Sequence, residues 1–454
     1  MKTCFLNLPH PARIMRRYSC TYYAPNFLFP PLELMSLAGI IKNWKKGDCI
    51  IIDAIAEGLN LGKVIERLRV YQPDFLVFMA GIESFREDKE SIKSIKRTFP
   101  SLKIACVGYL PSLFPEETLK QNPEIDYVII GEPELSFADL YDYLSGRNTS
   151  ASLISGIAYR EYGRITVGPQ RERIRDLDIL THPARNLIRQ GLYNEFLFRR
   201  PFSVIQTSRG CPFECSFCVN TYGKEVAYRS IENVLSELDN LSGEGIKALR
   251  FMDDTFTLNK SRCRELCAGI IRRGLKFDWS CLSRVDGLDK GMLALMKKSG
   301  CRRIYLGIET FSQRLLDYYR KGYDFSLIRR QVKAVRENKI EAVGFFIVGG
   351  LQTEEEFKRD ITLAKETGLD YIVVEKLTPY PGTAVYGNQN AFISQDEVIK
   401  RERRFYQAFY LRPGYLFRRL GCFLNNARDT LRGLKRLGGY LASIRPGSLR
   451  PEMI

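Results

Sequence analysis

The sequence predicts an α/β protein built from two successive β-α arrays: a doubly wound Rossmann-like (flavodoxin-like) domain, then a partial (β/α)6 barrel, with a helical C-terminal extension. Three observations carry this. Short apolar runs alternate with amphipathic helical patterns through residue 145 or so; a polar, turn-rich stretch interrupts them; and the alternation resumes from Ser203 with a repeat of about 30 residues. A length of 454 residues suits two or three domains. With 45% apolar and 27% charged residues, the chain is neither a disordered nor a collagenous type. No apolar run reaches the length of a membrane span; the best, Val343 to Leu351, is short and broken by glycines. The N-terminus does not read as a secretory signal, so the expected compartment is the cytoplasm.

In the first array, apolar β-branched runs predict strands at Thr3–Leu8, Cys49–Asp53, Phe75–Met79, Lys103–Val107 and Tyr127–Ile130. Apolar spacing of three and four predicts helices near Leu32–Lys42, Leu61–Val70, Lys89–Thr98 and Leu135–Leu144. Strands apolar on both faces imply a parallel sheet covered by helices, whose ligand crevice lies at the strand carboxyl ends. A small hairpin, Gly156–Tyr159 with Arg164–Val167, opens a connector that continues as linker through Asn186. The second array predicts strands at Ser203–Thr207, Ala248–Met252, Asp278–Leu282, Arg303–Ile308, Val343–Val348 and Tyr371–Glu375. Helices fill the gaps at Ile231–Leu241, Lys260–Arg272, Gly291–Lys298, Leu327–Asn338 and Glu354–Thr367. Barrel chemistry sits at strand carboxyl ends, and Asp253, Asp254, Arg284 and Glu309 each fall at such an end. The expected boundaries are 1–148, 149–200 (connector), 201–392 and 393–454.

The net charge of +17 is uneven: from Lys400 onward thirteen Lys/Arg face only Glu402, Asp429 and Glu452. A basic tail on a nearly balanced body argues against a chain that grips nucleic acid along its length. Histidine is limited to His10 and His182, both before prolines and read as structural, so imidazole-rich metal sites are disfavoured. Twelve cysteines in a cytoplasmic chain point to metal or redox chemistry. Cys211, Cys215 and Cys218 fall within eight residues, on a loop opened by Gly210 and stiffened by Pro212. Structural zinc wants a fourth ligand, and no Cys or His stands nearby; Cys263 is the next cysteine. A four-iron cluster on three thiolates leaves one iron open for a small molecule. Cys263 and Cys267, one helical turn apart, read as buried apolar residues, as do Cys4, Cys49, Cys106, Cys281 and Cys301.

The segment Thr207-Ser-Arg-Gly-Cys-Pro-Phe-Glu-Cys-Ser-Phe-Cys218 resembles the signature loop of radical S-adenosylmethionine (radical SAM) enzymes, Phe217 included. Phe251-Met-Asp-Asp-Thr-Phe256, Ser283-Arg-Val-Asp286, Gly307-Ile-Glu309, Gly344-Phe-Phe-Ile-Val-Gly349 and Thr378-Pro-Tyr-Pro-Gly-Thr383 resemble the later barrel motifs of its cobalamin-binding branch, in order. The resemblance implies a [4Fe–4S] cluster on Cys211, Cys215 and Cys218, with S-adenosylmethionine on the open iron and a 5′-deoxyadenosyl radical that abstracts hydrogen. It also implies an external electron donor such as flavodoxin or ferredoxin. Asp253 and Asp254 stand where family members offer backbone carbonyls to the methionyl amino group; the alternative is a helix N-terminal charge. Glu309 is a candidate for the ribose hydroxyls, or a barrel-rim salt bridge. Arg284 is a candidate for the methionine carboxylate, or an internal ion pair.

The first domain resembles the cobalamin-binding domain found before such barrels, through Ile50-Ile-Ile-Asp-Ala54, Val107-Gly108 and Gly131-Glu-Pro-Glu134. That makes Asp53, Gly108, Gly131 and Glu132 candidate cofactor contacts. Where many cobalamin proteins carry D-x-H-x-x-G, Asp53-Ala-Ile-Ala-Glu-Gly58 places Ile55. The second-strand loop therefore offers cobalt no imidazole, and an apolar, otherwise filled or water-bound lower face is expected. Tyr109 and Pro133 replace usual glycines. The basic tail, with Leu and Phe recurring among Arg and Lys from Tyr415 to Leu441, suits anionic lipid, a cap on the barrel mouth, or a solvated face. The expected activity is cobalamin-dependent methylation of an unactivated carbon in a small or lipid-like substrate; a radical cyclase or rearrangement enzyme and a non-catalytic sensor are the alternatives. A tRNA methylthiotransferase would need a second cysteine trio, which Cys4, Cys20, Cys49 and Cys106 do not make.

Overall fold

The computed structural model describes residues 1–18, 20–23, 27–147, 150–387 and 392–415. The chain divides into two compact units, the first Met1–Phe196 and the second beginning at Leu197.

The first unit is a seven-stranded sheet. Its strands are β1 (Lys2–Asn7), β2 (Asp48–Asp53), β3 (Phe75–Met79), β4 (Lys103–Val107), β5 (Tyr127–Ile129), β6 (Ile157–Glu161) and β7 (Arg164–Val167). They lie in the order β2-β1-β3-β4-β5-β6-β7. The first five are parallel, with Thr3 facing Cys49 on one side and Phe75 on the other. All five residues of β3 are buried because helices cover both faces. Phe137, from helix Pro133–Leu144, packs between Phe5 and Phe75 on one face. On the other, Val64 and Leu68 of helix Leu61–Tyr71 join Ile92 and Ile95 of helix Phe85–Thr98. The expected strands appear within a residue or two. The hairpin assigned to the connector is instead the antiparallel edge of this sheet, Tyr127 pairing with Tyr159. A further hairpin, Ile14–Arg17 with Cys20–Tyr23, was not foreseen; its strands are too short to show a period. It is anchored by Arg16, whose guanidinium meets Asp88 at 2.6 Å with both side chains wholly buried.

The second unit carries β8 (Phe202–Ile205), β9 (Ala248–Phe251), β10 (Asp278–Ser283), β11 (Cys301–Glu309), β12 (Glu341–Val348) and β13 (Tyr371–Lys376). They pair in chain order and all parallel, as in a barrel wall. Among the described residues β8 and β13 do not pair, so the barrel is partial. The intervening helices begin where a side chain caps them: Ser230, Asn259, Asp289, Asp324 and Ser394 each accept a first-turn N–H, and Thr353 forms a capping box with Glu356. These caps explain why the sequence boundaries were nearly right.

The first part of the basic tail is a helix, Gln395–Tyr410, which buries Phe405 and Phe409 against the barrel. Its charges face partners: Arg401 pairs with Glu397 and Glu354, and Arg404 with Glu354. The hydroxyls of Tyr406 and Tyr410 accept the N–H groups of Val374 (2.9 Å) and Ile372 (3.0 Å) on the open edge of β13. Tyr415 donates to Asp370 O at 3.0 Å. An unpaired strand edge is thus closed by phenols. Replacing Tyr406 and Tyr410 together by Phe strands these edge groups, and the unfolding free energy from urea titration is expected to fall by about 1–3 kcal/mol per lost acceptor, lowering the midpoint. The amphipathic stretch beyond Tyr415 lies outside the described residues.

Candidate active site

The cysteine loop starts one residue beyond β8. Ser208 and Arg209 pair antiparallel with Tyr228 and Ala227, tying the ends of the loop together. Gly210 has φ +98°, and a Cβ there would stand 2.2 Å from Glu225 O, so only glycine fits. Cys211 N donates to Gly223 O (3.1 Å), Asn220 Nδ2 to Cys211 O (2.8 Å) and Cys218 N to Cys215 O (3.1 Å). Ser216 fastens the loop to the turn after helix Gln313–Tyr318, through its N–H to Tyr319 O (3.2 Å) and its hydroxyl to Tyr318 O (2.8 Å). Cys211 and Cys215 are half-buried and Cys218 is exposed. Burial raises the Cys211 thiol, against hydrogen bonds from the Phe213 backbone and the Thr255 hydroxyl. Among the described residues no three His, Cys, Asp or Glu converge on a single-ion position. A cluster, which takes each thiolate on a different iron, needs no such convergence. Three soft donors on one loop fit it.

Asp253 turns its buried carboxylate back onto the loop, accepting from Thr207 N (2.6 Å), Thr207 Oγ1 (2.5 Å) and Ser208 Oγ (2.9 Å). Burial raises its pKa, partly offset by these donors. Asp254 accepts from Gly210 N at 3.0 Å. Both side chains therefore brace the cysteine loop. The fork of Arg284 is bound to Asp286 by two 2.9 Å bonds, with further N–H groups on Lys321 O (2.6 Å) and Cys215 Sγ (3.7 Å). Its guanidinium lies 3.6 Å over Phe213. Internal pairing is the arrangement present, and the cation stands against a thiol of the trio.

Glu309, with φ +68°, ends β11 and meets Lys321 at 2.9 Å; the two side chains are 9% and 4% exposed. Burial opposes the Lys321 charge, and Glu309, Tyr323 and Cys215 together more than offset it, so the ammonium pKa rises. Gly307 leaves the room: a Cβ there would stand 2.8 Å from Glu309 Oε1 and 3.3 Å from Lys321 Nζ. Phe217 packs edge-on against Tyr319 with centroids 5.3 Å apart, and Lys321 Nζ lies 5.7 Å above its ring. Lys321, Asp286, Ser216 and Tyr323, whose hydroxyl donates to Gly307 O, were not picked out from the sequence. Ser216 and Asp286 lay inside the quoted motifs without a role of their own, and the only signal at Lys321 and Tyr323 was a polar run after a short helix, which is common in loops.

Asp360 braces the next residues, accepting from Phe311 N (2.6 Å), Thr310 Oγ1 (2.9 Å) and Gln352 Nε2 (2.9 Å). Burial raises its pKa from 3.8 to about 7 despite those donors. A carboxyl that holds its proton more tightly folded than unfolded contributes stability below its unfolded pKa. That contribution is lost as pH rises through the folded value. Stability is expected to fall between about pH 4 and pH 7 by about 1.4 kcal/mol per unit at most, and to level off above that, and Asp360→Asn should flatten that slope in urea titrations whatever its own stability.

In the first unit, the Asp53 carboxylate is already committed: it accepts from Asn7 Nδ2 (2.8 Å), Ala56 N (3.0 Å) and Tyr193 OH (2.9 Å). It caps the short helix Ala54–Glu57. Gly108, with φ +146°, passes Ala80 O so closely that a Cβ would stand 2.6 Å away. Gly131 donates to Ser112 Oγ at 3.1 Å, and the Tyr18 phenol bonds both Ser112 and Gly131 O. Glu132 pairs with Arg173 at 3.4 Å. The loops after β4 and β5 are thus bridged by Tyr18 rather than left as an open groove. A cavity of about 540 Å3 lies instead at the carboxyl ends of β1 and β2, between residues 9–13 and the loop from Ala54 to Leu61. Its wall is mainly apolar and lies on the β1–β2 side of the sheet, whereas the switch point, where the strand order reverses, falls between β1 and β3.

A doubly wound domain with a crevice of this kind, ahead of a partial barrel whose first loop holds three thiols, defines a corrinoid-binding enzyme of the radical SAM type. The comparisons agree. The family model described as Radical SAM superfamily matches residues 205–364, and that of the B12 binding domain matches residues 24–141. An uncharacterized methyltransferase of Pyrococcus horikoshii is 33% identical over 439 residues, covering 90% of this chain and 94% of its own. An anaerobic magnesium-protoporphyrin IX monomethyl ester cyclase of Rubrivivax gelatinosus is 25% identical, covering 78% and 65%. The fold is that of the radical S-adenosylmethionine methyltransferase TsrM of Kitasatospora setae, with TM-score 0.69, 17% identity and coverage of 85% and 75%. The chain belongs to the family of radical SAM enzymes that carry a cobalamin-binding domain. Its cofactors are a [4Fe–4S] cluster, S-adenosylmethionine and cobalamin.

Proposed function

We propose that this enzyme transfers a methyl group to an unactivated carbon of a small molecule. The observation that carries the reading is the similarity, along nearly the whole of both chains, to a protein named a methyltransferase. When bound, the cofactors supply hydrogen-atom abstraction and a transferable methyl group; the protein holds and orients. In this reading Cys211, Cys215 and Cys218 hold the cluster, Asp253 and Asp254 fix the loop that presents them, and Arg284 donates to Cys215 Sγ. The Glu309–Lys321 pair and Phe217 form the rim beside that loop, where the S-adenosylmethionine ribose and adenine are expected. Electrons come from a small donor such as flavodoxin or ferredoxin, and the enzyme works in the cytoplasm. No helix among the described residues is long and apolar enough to cross a membrane, and contact of the basic tail with a lipid-like substrate or a lipid surface belongs to the proposal.

The test uses anaerobic, reconstituted enzyme with S-adenosylmethionine deuterated in its methyl group. Methylation yields S-adenosylhomocysteine and 5′-deoxyadenosine in equal amounts and a product carrying the label. The similarity to a cyclase favours a second reading, in which 5′-deoxyadenosine forms with the product but no labelled methyl is transferred. Protein that retains cluster and cobalamin yet leaves S-adenosylmethionine intact under reduction would return the sensor reading.

A further inference from the structure

We propose that Arg284 raises the reduction potential of the cluster through Cys215, and that it does not receive the carboxylate of S-adenosylmethionine. The inference rests on the reading that Cys211, Cys215 and Cys218 hold a [4Fe–4S] cluster, and deepens it. A guanidinium carries five N–H groups. In Arg284, Nε donates to Asp286 Oδ1 (2.9 Å), Nη2 to Asp286 Oδ2 (2.9 Å) and to Lys321 O (2.6 Å), and Nη1 to Cys215 Sγ (3.7 Å). The Nε–Nη2 edge, which could grip a carboxylate in two places, is therefore filled from within the chain. What Arg284 turns toward the cysteine loop is the remaining nitrogen, and it meets a sulfur.

The placement is fixed on several sides. The Arg284 side chain is 8% exposed. Its guanidinium lies 3.6 Å over the ring of Phe213, which stands between Cys211 and Cys215 on the loop itself, and 5.2 Å from that of Tyr323. The donors at Cys211 are neutral, the Phe213 backbone and the Thr255 hydroxyl; the donor at Cys215 is charged. The Asp286 carboxylate opposes that charge from the far edge of the fork, where it is 35% exposed and screened by water. The other nearby cation, Lys321, is held by Glu309 at 2.9 Å. Hydrogen bonds and positive charge at a ligand sulfur draw electron density from the irons and favour the reduced cluster. One electron from the external donor then enters more readily, and no bond of the protein is made or broken. Arg284 acts through Cys215 and is in that sense a positioning residue.

The test is a redox titration of reconstituted, full-length protein, followed by electron paramagnetic resonance of the reduced cluster, on wild type, Arg284→Lys and Arg284→Met. With iron and sulfide retained, Arg284→Met should show a lower midpoint potential than wild type, and Arg284→Lys, which keeps a cation, should lie between them. Affinity for S-adenosylmethionine, measured by equilibrium dialysis, should stay within about threefold of wild type. A residue that received the methionine carboxylate would give the reverse, an unchanged potential with about tenfold or more of the affinity lost. Either of those two results overturns the proposal. Should Arg284→Met assemble no cluster, wild type decides alone. Protein grown with 15N-arginine should show an arginine nitrogen coupled to the reduced cluster in pulsed spectra, both without and with S-adenosylmethionine. The absence of that coupling, or its loss when S-adenosylmethionine is added, overturns the proposal. Wild-type protein that holds no cluster at all would instead sink the reading of the cysteine trio, and this proposal with it.

Discussion

Replacing any one of Cys211, Cys215 or Cys218 by Ala is expected to reduce iron and sulfide from about four each per chain to a small fraction, and to reduce S-adenosylmethionine cleavage at least about 1000-fold. With three protein donors and one open iron, a cluster that loses a thiolate has no substitute at hand: Cys263 and Cys267 are buried in the hydrophobic core of the barrel. The fold should survive, because the loop is held by backbone bonds at Gly210, Cys211 and Ser216 rather than by the sulfurs. Iron, sulfide and 5′-deoxyadenosine assays on the three variants, with circular dichroism as the folding control, check this. Full cluster content in any of them would show that the trio is not the ligand set. Cys263→Ala and Cys267→Ala serve as the comparison and should keep their iron.

Lys321→Met is expected to destabilise the apoprotein by about 3–5 kcal/mol, because it leaves the Glu309 carboxylate buried without its partner. Glu309→Gln strands the ammonium in the same way and should cost a similar amount. The double variant, with both charges removed, should recover much of the loss, since an intact buried pair adds little net stability over apolar neighbours of similar size. Chemical unfolding of the four proteins closes this cycle. Equal, additive losses would mean that the two side chains do not act as a pair. If the pair also forms the rim of the S-adenosylmethionine site, the double variant regains stability but not cofactor affinity, a separation that a purely structural pair would not produce.

Much of the architecture was readable in advance. The eleven strands predicted for the two arrays each lie within two residues of their observed ends. β-branched runs, apolar helix faces and capping side chains such as Asn259, Asp289 and Thr353 act over a few residues. The cysteine spacing was legible for the same reason: three ligands on one loop are a local pattern. What failed to show were features that pair residues distant in sequence. The hairpin at Ile157–Val167 looked like connector because an antiparallel edge strand leaves no mark of which sheet it joins. The basic tail read as a lipid-binding face, a cap on the barrel mouth or a solvated face, and for its first part only packing revealed that Tyr406 and Tyr410 close the edge of β13.

The same division runs through the candidate site. Asp253, Arg284 and Glu309 were placed at strand ends correctly, yet where each side chain points depends on Thr207, Asp286 and Lys321. By itself, the sequence determined two β-α arrays, the location of a three-thiol loop and the absence of an imidazole after β2, because periodicity and spacing are properties of neighbouring residues. The tertiary structure alone decided that Asp53 and Asp253 serve as internal braces and that Tyr18 spans the loops after β4 and β5. Those outcomes follow from strand order and burial: a parallel sheet sets loops from remote segments side by side, and a buried polar group takes whichever partner that juxtaposition supplies.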